Sequence, residues 1–224
     1  MAGAGTTRIR VDMHLHTAGS YDCLSDPEAV VQAALARGVD KICVTDHNEI
    51  AVALELKRLH PDLVIVGEEI RTAEGVDIIG LFLQEPIEKG TPARKACLRI
   101  REQGGVVYVP HPFVGGKGGG GRILSEIADL VHAVEGFNAR IHFQRLNDRA
   151  VEWAAAHGVA VGAGSDAHTL AEVGRAYIEV PPFEDEPAAF LAALREGRIH
   201  GRLSPWRVHI ASTYAKLRKR SATR

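Results

Sequence analysis

Five short apolar runs in this chain each end in a histidine, an aspartate or a glutamate. That recurrence constrains the fold more than any other feature. Ile9-Arg-Val-Asp-Met-His-Leu-His runs into Asp12, His14 and His16, and Ile42-Cys-Val-Thr into Asp46 and His47. Val64-Ile-Val-Gly runs into Glu68 and Glu69, Val106-Val-Tyr-Val-Pro into His111, and Val159-Ala-Val-Gly-Ala-Gly-Ser into Asp166 and His168. The runs are rich in β-branched residues and too short for helices, so they read as buried strands. Further runs at Val76 to Leu83, Ala133 to Phe137 and Ala176 to Val180 read the same way.

Helix signals fill the gaps. Asp26-Pro27-Glu28 supplies an N-cap, a proline at the first helical position and an acidic first turn, with Gly38 at the far end. Thr91-Pro92 opens a helix that carries Ala93, Ala96, Cys97 and Ile100 on one face before Gly104. Phe143, Leu146, Ala150, Trp153, Ala154 and His157 recur at helical spacing until Gly158, and Asp185 opens another helix that Gly197 ends. Alternating strands and helices predict a mostly parallel sheet covered by helices. Seven or eight strands at this density suit a barrel better than a doubly wound sheet. In a parallel barrel the C-terminal strand ends converge on one rim, where active sites are built. His14 and His16, two apart on a strand, share a face. Imidazoles with carboxylates suit Zn²⁺, Mn²⁺ or Fe²⁺.

Composition narrows the class. The 224 residues are 46% hydrophobic and 25% charged, ordinary for a single globular α/β domain spanning 1–224. A formal charge of −1 leaves no global field to attract nucleic acid or an acidic membrane. Cys23, Cys43 and Cys97 lack C-x-x-C spacing, which argues against a disulfide framework and for a reducing compartment. No apolar run approaches the ~18 residues of a membrane span, and the first residues lack an apolar signal core. The expected location is the cytoplasm, with no membrane partner.

Taken together, Asp12-Met-His14-Leu-His16-Thr17, Thr45-Asp46-His47, Gly67-Glu-Glu69-Ile, His111-Pro112 and Gly164-Ser-Asp166-Ala-His168 resemble the polymerase and histidinol phosphatase (PHP) superfamily. All five blocks appear in order across residues 9–168. Gly67 through Leu83 and Glu135-Gly-Phe-Asn-Ala-Arg140 resemble a small stand-alone branch of it. The resemblance implies a distorted (β/α)7 barrel that holds two or three divalent ions (Mn, Zn or Fe) and hydrolyses phosphoesters with metal-activated water. It implies that His14, His16, Glu69 and Asp166 hold a first metal. Glu69 would bridge to a second, shared with His111 and position 77. His47, His168 and Asp22 would hold a third. Many relatives have His at position 77, where this chain has Asp77. Asp12 and Asp46 are expected to orient the histidines, with Asp46 a direct ligand as the alternative. Glu69 is preferred to Glu68 because strand neighbours point to opposite faces.

Asp166 or His168 would move the proton, and Arg140, with Asn138, would orient the phosphate through parallel hydrogen bonds. The expected substrate is a small phosphorylated molecule, nucleotide-like or a sugar phosphate, or a short oligonucleotide. Two other readings use the same blocks: an amidohydrolase-like attack on an amide or lactone, and a non-catalytic module that binds metal or nucleotide. Retained ligand residues argue against the latter, and Arg140 against the former. The stretch Gly115 to Gly121 around Lys117 lacks P-loop order and reads as a solvated loop. Arg122 and Arg145 read as surface charge. His60, His132, His142, His157, His200 and His209 stand in no motif. Trp206 to Arg220 reads as an amphipathic helix within a C-terminal segment, about 205–220, that packs on the barrel.

Overall fold

The computed structural model describes residues 8–114 and 120–222. The expected runs become β1 (Ile9–Leu15), β2 (Lys41–Val44), β3 (Val64–Arg71), β4 (Asp77–Leu81), β5 (Val106–Val109), β6 (Ala133–Asn138), β7 (Ala160–Gly164) and β8 (Ala176–Val180). A further strand, β9 (Arg198–Gly201), carries no apolar signature because it sits half exposed at the sheet edge. The helices are α1 (Pro27–Ala36), α2 (Ala51–Leu59), α3 (Ala93–Glu102), α4 (Gly120–Glu126), α5 (Gln144–His157), α6 (Pro187–Arg195) and α7 (Val208–Ala222). The Asp26 carboxylate caps α1 by accepting from the Ala29 N–H at 2.9 Å. Gly158 closes α5 at φ 64°, a conformation that costs glycine nothing. The sequence pattern did not signal α2, which has no side-chain cap and buries only Ala53 and Leu56. Lys117 lies outside the described residues.

The sheet order is β7-β6-β5-β4-β3-β2-β1-β8-β9. The expectation of a mostly parallel sheet needs correction. β1–β2, β2–β3, β5–β6 and β6–β7 are parallel, but β4 is antiparallel to both neighbours and β8 is antiparallel to β1 and β9. The link between β3 and β4 is a tight turn, with Gly75 N–H donating to the Thr72 carbonyl at 3.0 Å. So short a link cannot make a parallel crossover. The curled sheet nearly closes where β1 meets the residues after β7. Asp166 N–H donates to the His14 carbonyl at 2.7 Å, and His16 N–H to the Ala167 carbonyl at 2.9 Å. The result is a single α/β domain built as a distorted (β/α)7-type barrel.

Strand alternation divides the core. Ile42, Val44, Val64 and Val66 pack outward with Val30, Val31 and Leu56 of the helices. Cys43, Ile65, Ile79, Met13 and Tyr108 pack together on the other face, joined by Phe190 of α6. Cys23, Cys43 and Cys97 are buried free thiols. Among the described residues no helix is long and apolar enough to cross a membrane.

Gly164 sits at the closing seam. A Cβ there would lie 2.3 Å from His14 Cβ and 2.7 Å from Glu135 Oε1. Gly164→Ala should therefore destabilise the fold by ~1–3 kcal/mol, the usual cost of overpacking. Chemical denaturation reads this out, and an unchanged midpoint would contradict the packing described.

Candidate metal centre

Four side-chain donors from three strand ends meet at one point. The Nε2 atoms of His14 and His16 are 3.2 Å apart. Glu69 Oε2 lies 3.4 Å from the first and 3.3 Å from the second, and Asp166 Oδ1 lies 3.7 Å and 3.4 Å from them. A tetrahedral ion with bonds of ~2.1 Å has ligand-to-ligand edges of ~3.4 Å. The five distances above lie within a few tenths of an ångström of that edge.

Each imidazole is oriented from behind. His14 Nδ1 faces Glu135 Oε1 at 3.0 Å, and a carboxylate only accepts, so Nδ1 carries the proton and Nε2 is left as a donor to metal. His16 Nδ1 is 2.9 Å from Ser20 Oγ, whose own hydroxyl donates to Asp46 Oδ1 at 2.7 Å. The serine therefore accepts from Nδ1–H, and Nε2 again faces inward. His168 Nδ1 donates to the Asp166 carbonyl at 2.9 Å, which frees its Nε2 in the same way.

Two more donor groups adjoin the first. His14, Glu69 and His111 can converge on one ion, with His111 Nε2 at 3.2 Å from Glu69 Oε1. His16, His47 and His168 form another possible set. Asp22 completes the region around the last two: its carboxylate lies 3.6 Å from His47 Nε2 and 3.3 Å from His168 Nε2. Buried Asp22 Oδ1 accepts no hydrogen bond, an orphaned oxygen of the sort a cation satisfies. Asp77 adjoins these groups, close enough for Glu69, His111 and His47 to act on its charge. Its Oδ1 pairs with Arg71 Nε at 2.9 Å, although the residue lines the same cavity.

The electrostatics fit a site built for cations. Burial would raise Glu69, but His47, His14 and His111 hold it well below the ordinary carboxylate range. Asp166 is held low against burial chiefly by His14, and Asp22 by the two imidazoles it faces, His168 first and then His47. Burial would lower His14 and His111, but carboxylates outweigh it: His14 rises well above its usual value and His111 to about 9. Burial, then the neighbouring His168 and His47, push His16 down to about 3. Burial and the nearby Glu69 raise Asp77 to about 6. His111 and Asp166 also adopt positive φ, 29° and 51°, a strained backbone that clusters at functional positions.

Strand alternation separates the two glutamates. Glu69 faces the histidines, while Glu68 turns away to accept from the Ile87 N–H at 2.8 Å. Asp46 is committed to the chain itself: it accepts from Thr17 N–H, the Thr17 and Ser20 hydroxyls and Ser20 N–H. Asp12 likewise accepts from Ser165 N–H at 2.9 Å and Gly174 N–H at 3.0 Å. Arg140 lines the cavity, but its Nε faces buried Glu172 at 3.1 Å and its Nη2 donates to Val208 and Ser212 of α7. That edge of its guanidinium is taken. Asn138 is a brace, donating to Glu135 Oε2 at 2.9 Å and Asp166 Oδ2 at 3.2 Å. Sequence reasoning missed Glu135, Ser20 and Glu172. A glutamate inside the apolar run Ala-Val-Glu-Gly-Phe was the one available signal. His142 and His209, given no role from sequence, line the cavity.

Residues 12–99 match the PHP domain and residues 144–199 the PHP-associated family. An uncharacterized protein of Methanocaldococcus jannaschii is 34% identical over 201 residues, 84% of this chain and 79% of its own. PsfC from Pseudomonas syringae shares the fold at a TM-score of 0.67 and 16% identity, over 96% of this chain and 99% of that one. So does the lesion-specific endonuclease PfuEndoQ of Pyrococcus furiosus, at a TM-score of 0.62 and 14% identity, over 86% and 58%. The chain belongs to the PHP family.

Two outcomes follow from the geometry. Glu135→Gln should weaken divalent-ion affinity by about 10- to 100-fold, as losing an outer partner of a ligating histidine does; equal Mn²⁺ titrations for both proteins would refute the role. The second concerns pH. His111 titrates at about 9 in the folded chain against 6.5 unfolded, so its stabilising proton is fully present below pH 6.5 and lost as pH rises through 9. His14 and His47 shift in the same direction. The melting temperature in chelator should fall across this window, and saturating Mn²⁺ should flatten the slope because the ion replaces those protons. A chelated protein whose melting rises from pH 6.5 to 9 would contradict this charge balance.

Proposed function

We propose that this chain is a metal-dependent hydrolase of phosphoesters, acting on a small nucleotide-like or sugar-phosphate substrate or a short oligonucleotide. The observation that carries the reading is the cluster of His14, His16, Glu69 and Asp166, of which Glu69 and Asp166 line a cavity of about 640 Å³. That volume suits a small molecule. Family membership and the endonuclease neighbour support the phosphoester class.

His14, His16, Glu69 and Asp166 would hold one ion of Mn, Zn or Fe. Glu69 and His111 would hold a second, with Asp77 beside them, and His47, His168 and Asp22 a third. Bound ions there supply a water acidic enough to ionise near neutral pH and offset phosphate charge. The chain's own residues do the rest. Asp166 has one oxygen on the histidines and the other within 3.2 Å of Asn138 Nδ2, so it is held in place to accept a proton at Oδ2. His168, fixed by its Nδ1–H on the Asp166 carbonyl, has one free nitrogen, Nε2, and would pass that proton on only when that nitrogen holds no third ion. Arg140 adds positive potential beside Asp166 and braces α7 against the rim.

The test is a panel of phosphomonoesters, phosphodiesters, amides and lactones with Mn²⁺, Zn²⁺ or Fe²⁺. Phosphoester turnover should depend on added metal, and the double variant His14→Ala, His16→Ala should lose both bound metal and turnover. Full activity in chelator, or turnover confined to amides or lactones, would overturn the proposal.

A further inference from the structure

Helix α7 crosses the rim that carries the candidate metal centre. Near its start, Arg140 Nη2 donates to the Val208 carbonyl at 3.2 Å and to Ser212 Oγ at 3.1 Å. Toward its end, Lys219 Nζ donates to the carbonyls of Ala18 and Ser20. The helix thus reaches from the loop after β6 to the loop after β1. His209, Ser212 and Lys216 recur at i, i+3 and i+7, one face of a helix. All three line the cavity that Glu69, Asp166 and His168 also line.

An anionic substrate entering past four carboxylates (Asp22, Glu69, Asp77 and Asp166) needs a cation on the wall. Among the described lining residues the lysines and arginines are Arg71, Arg140 and Lys216. Arg71 is engaged with Asp77 and with the Gly75 carbonyl at 2.7 Å. Arg140 is engaged with Glu172 and α7. Lys216 differs in kind. Its ammonium stands 3.5 Å from Asp22 Oδ2 and 5.3 Å from the Tyr21 ring centroid, and its side chain is 43% exposed. Asp22 also faces His47 and His168. A divalent ion held by those three would draw on the same carboxylate and repel the ammonium. The four-carbon stem of lysine lets the charge swing away from Asp22, and the cavity lies beside it.

We propose that Lys216 is the substrate-binding cation that positions the phosphate, brought to the site by α7. This rests on the phosphoester reading above and deepens it. A lysine suits the task as a mobile point charge that follows the phosphate oxygens.

The experiment uses the full chain loaded with Mn²⁺, as wild type, Lys216→Gln and Lys216→Arg. Inorganic phosphate affinity is measured by calorimetry, and kcat and KM with p-nitrophenyl phosphate. Metal per chain and melting temperature are followed alongside. Lys216→Gln should weaken phosphate binding and raise KM by roughly 10- to 100-fold, the worth of one charge-assisted contact. Its kcat should change far less than its KM, with metal content and melting unchanged, and Lys216→Arg should recover most of the loss. Phosphate affinity equal to wild type in Lys216→Gln overturns the inference. So does a loss that tracks a fall in melting temperature and that Lys216→Arg fails to rescue. The two readings separate cleanly. Lys216-dependent phosphate binding without turnover of any phosphoester would sink the hydrolase reading alone. Turnover with a Lys216-independent KM would sink only this one.

Discussion

The structure is organised around one buried carboxylate. Glu69 is 1% exposed, and its two oxygens face four imidazoles: His14, His16 and His47 at Oε2, His111 at Oε1. An ionised carboxylate so far from water is tolerable only when opposite charge surrounds it. Those imidazoles come from three different strands and the loops that follow them, so the need to pair Glu69 ties β1, β2, β3 and β5 together at one rim. The same crowding makes the site receptive to cations. Protons on the histidines balance the carboxylates, and a divalent ion can replace them.

Around that centre lies a layer of groups that face the histidines rather than the cavity. Glu135 holds His14 through Nδ1 and His111 through its backbone N–H. Ser20 and Asp46 hold His16, and Asp46 also gathers Thr17 N–H and Ser20 N–H, fixing the loop after β1. Asp12 binds the backbone of Ser165 and Gly174, stitching β1 to the segment that carries Asp166 and His168. Closure of the barrel and orientation of the ligands are therefore one set of hydrogen bonds. The close approach at Gly164, where even a methyl group would strike His14, is a result of that economy of space.

The C-terminal helix extends this logic to the outside of the rim. Arg140 is held between buried Glu172 and the start of α7, so the residue expected to clamp substrate also anchors a structural element. With α7 laid across the end of β7, the cavity gains a polar wall of His209, Ser212 and Lys216 over its carboxylate floor.

Much of this was legible in the residues, for a physical reason. A strand buried on both faces must be a continuous apolar run, so His or Asp at its end is conspicuous, and period-two alternation distinguishes Glu69 from Glu68. Eight of the strands, the N-cap of α1, the C-cap of α5 and the residues that supply the donor cluster can be read from local pattern. The rest depends on contacts between segments distant in the chain. The antiparallel placement of β4 and β8 follows from link geometry and seam closure, which composition does not encode. Glu135 and Ser20 act through atoms of histidines more than a hundred and four residues distant, respectively. Arg140 was drawn to Glu172 and α7 because a buried guanidinium must be paired where it lies. Lys216 looked like solvent-facing charge on an amphipathic helix until the fold laid that helix over the site. Local pattern records which residues are polar; which of them meet is set by long-range packing alone.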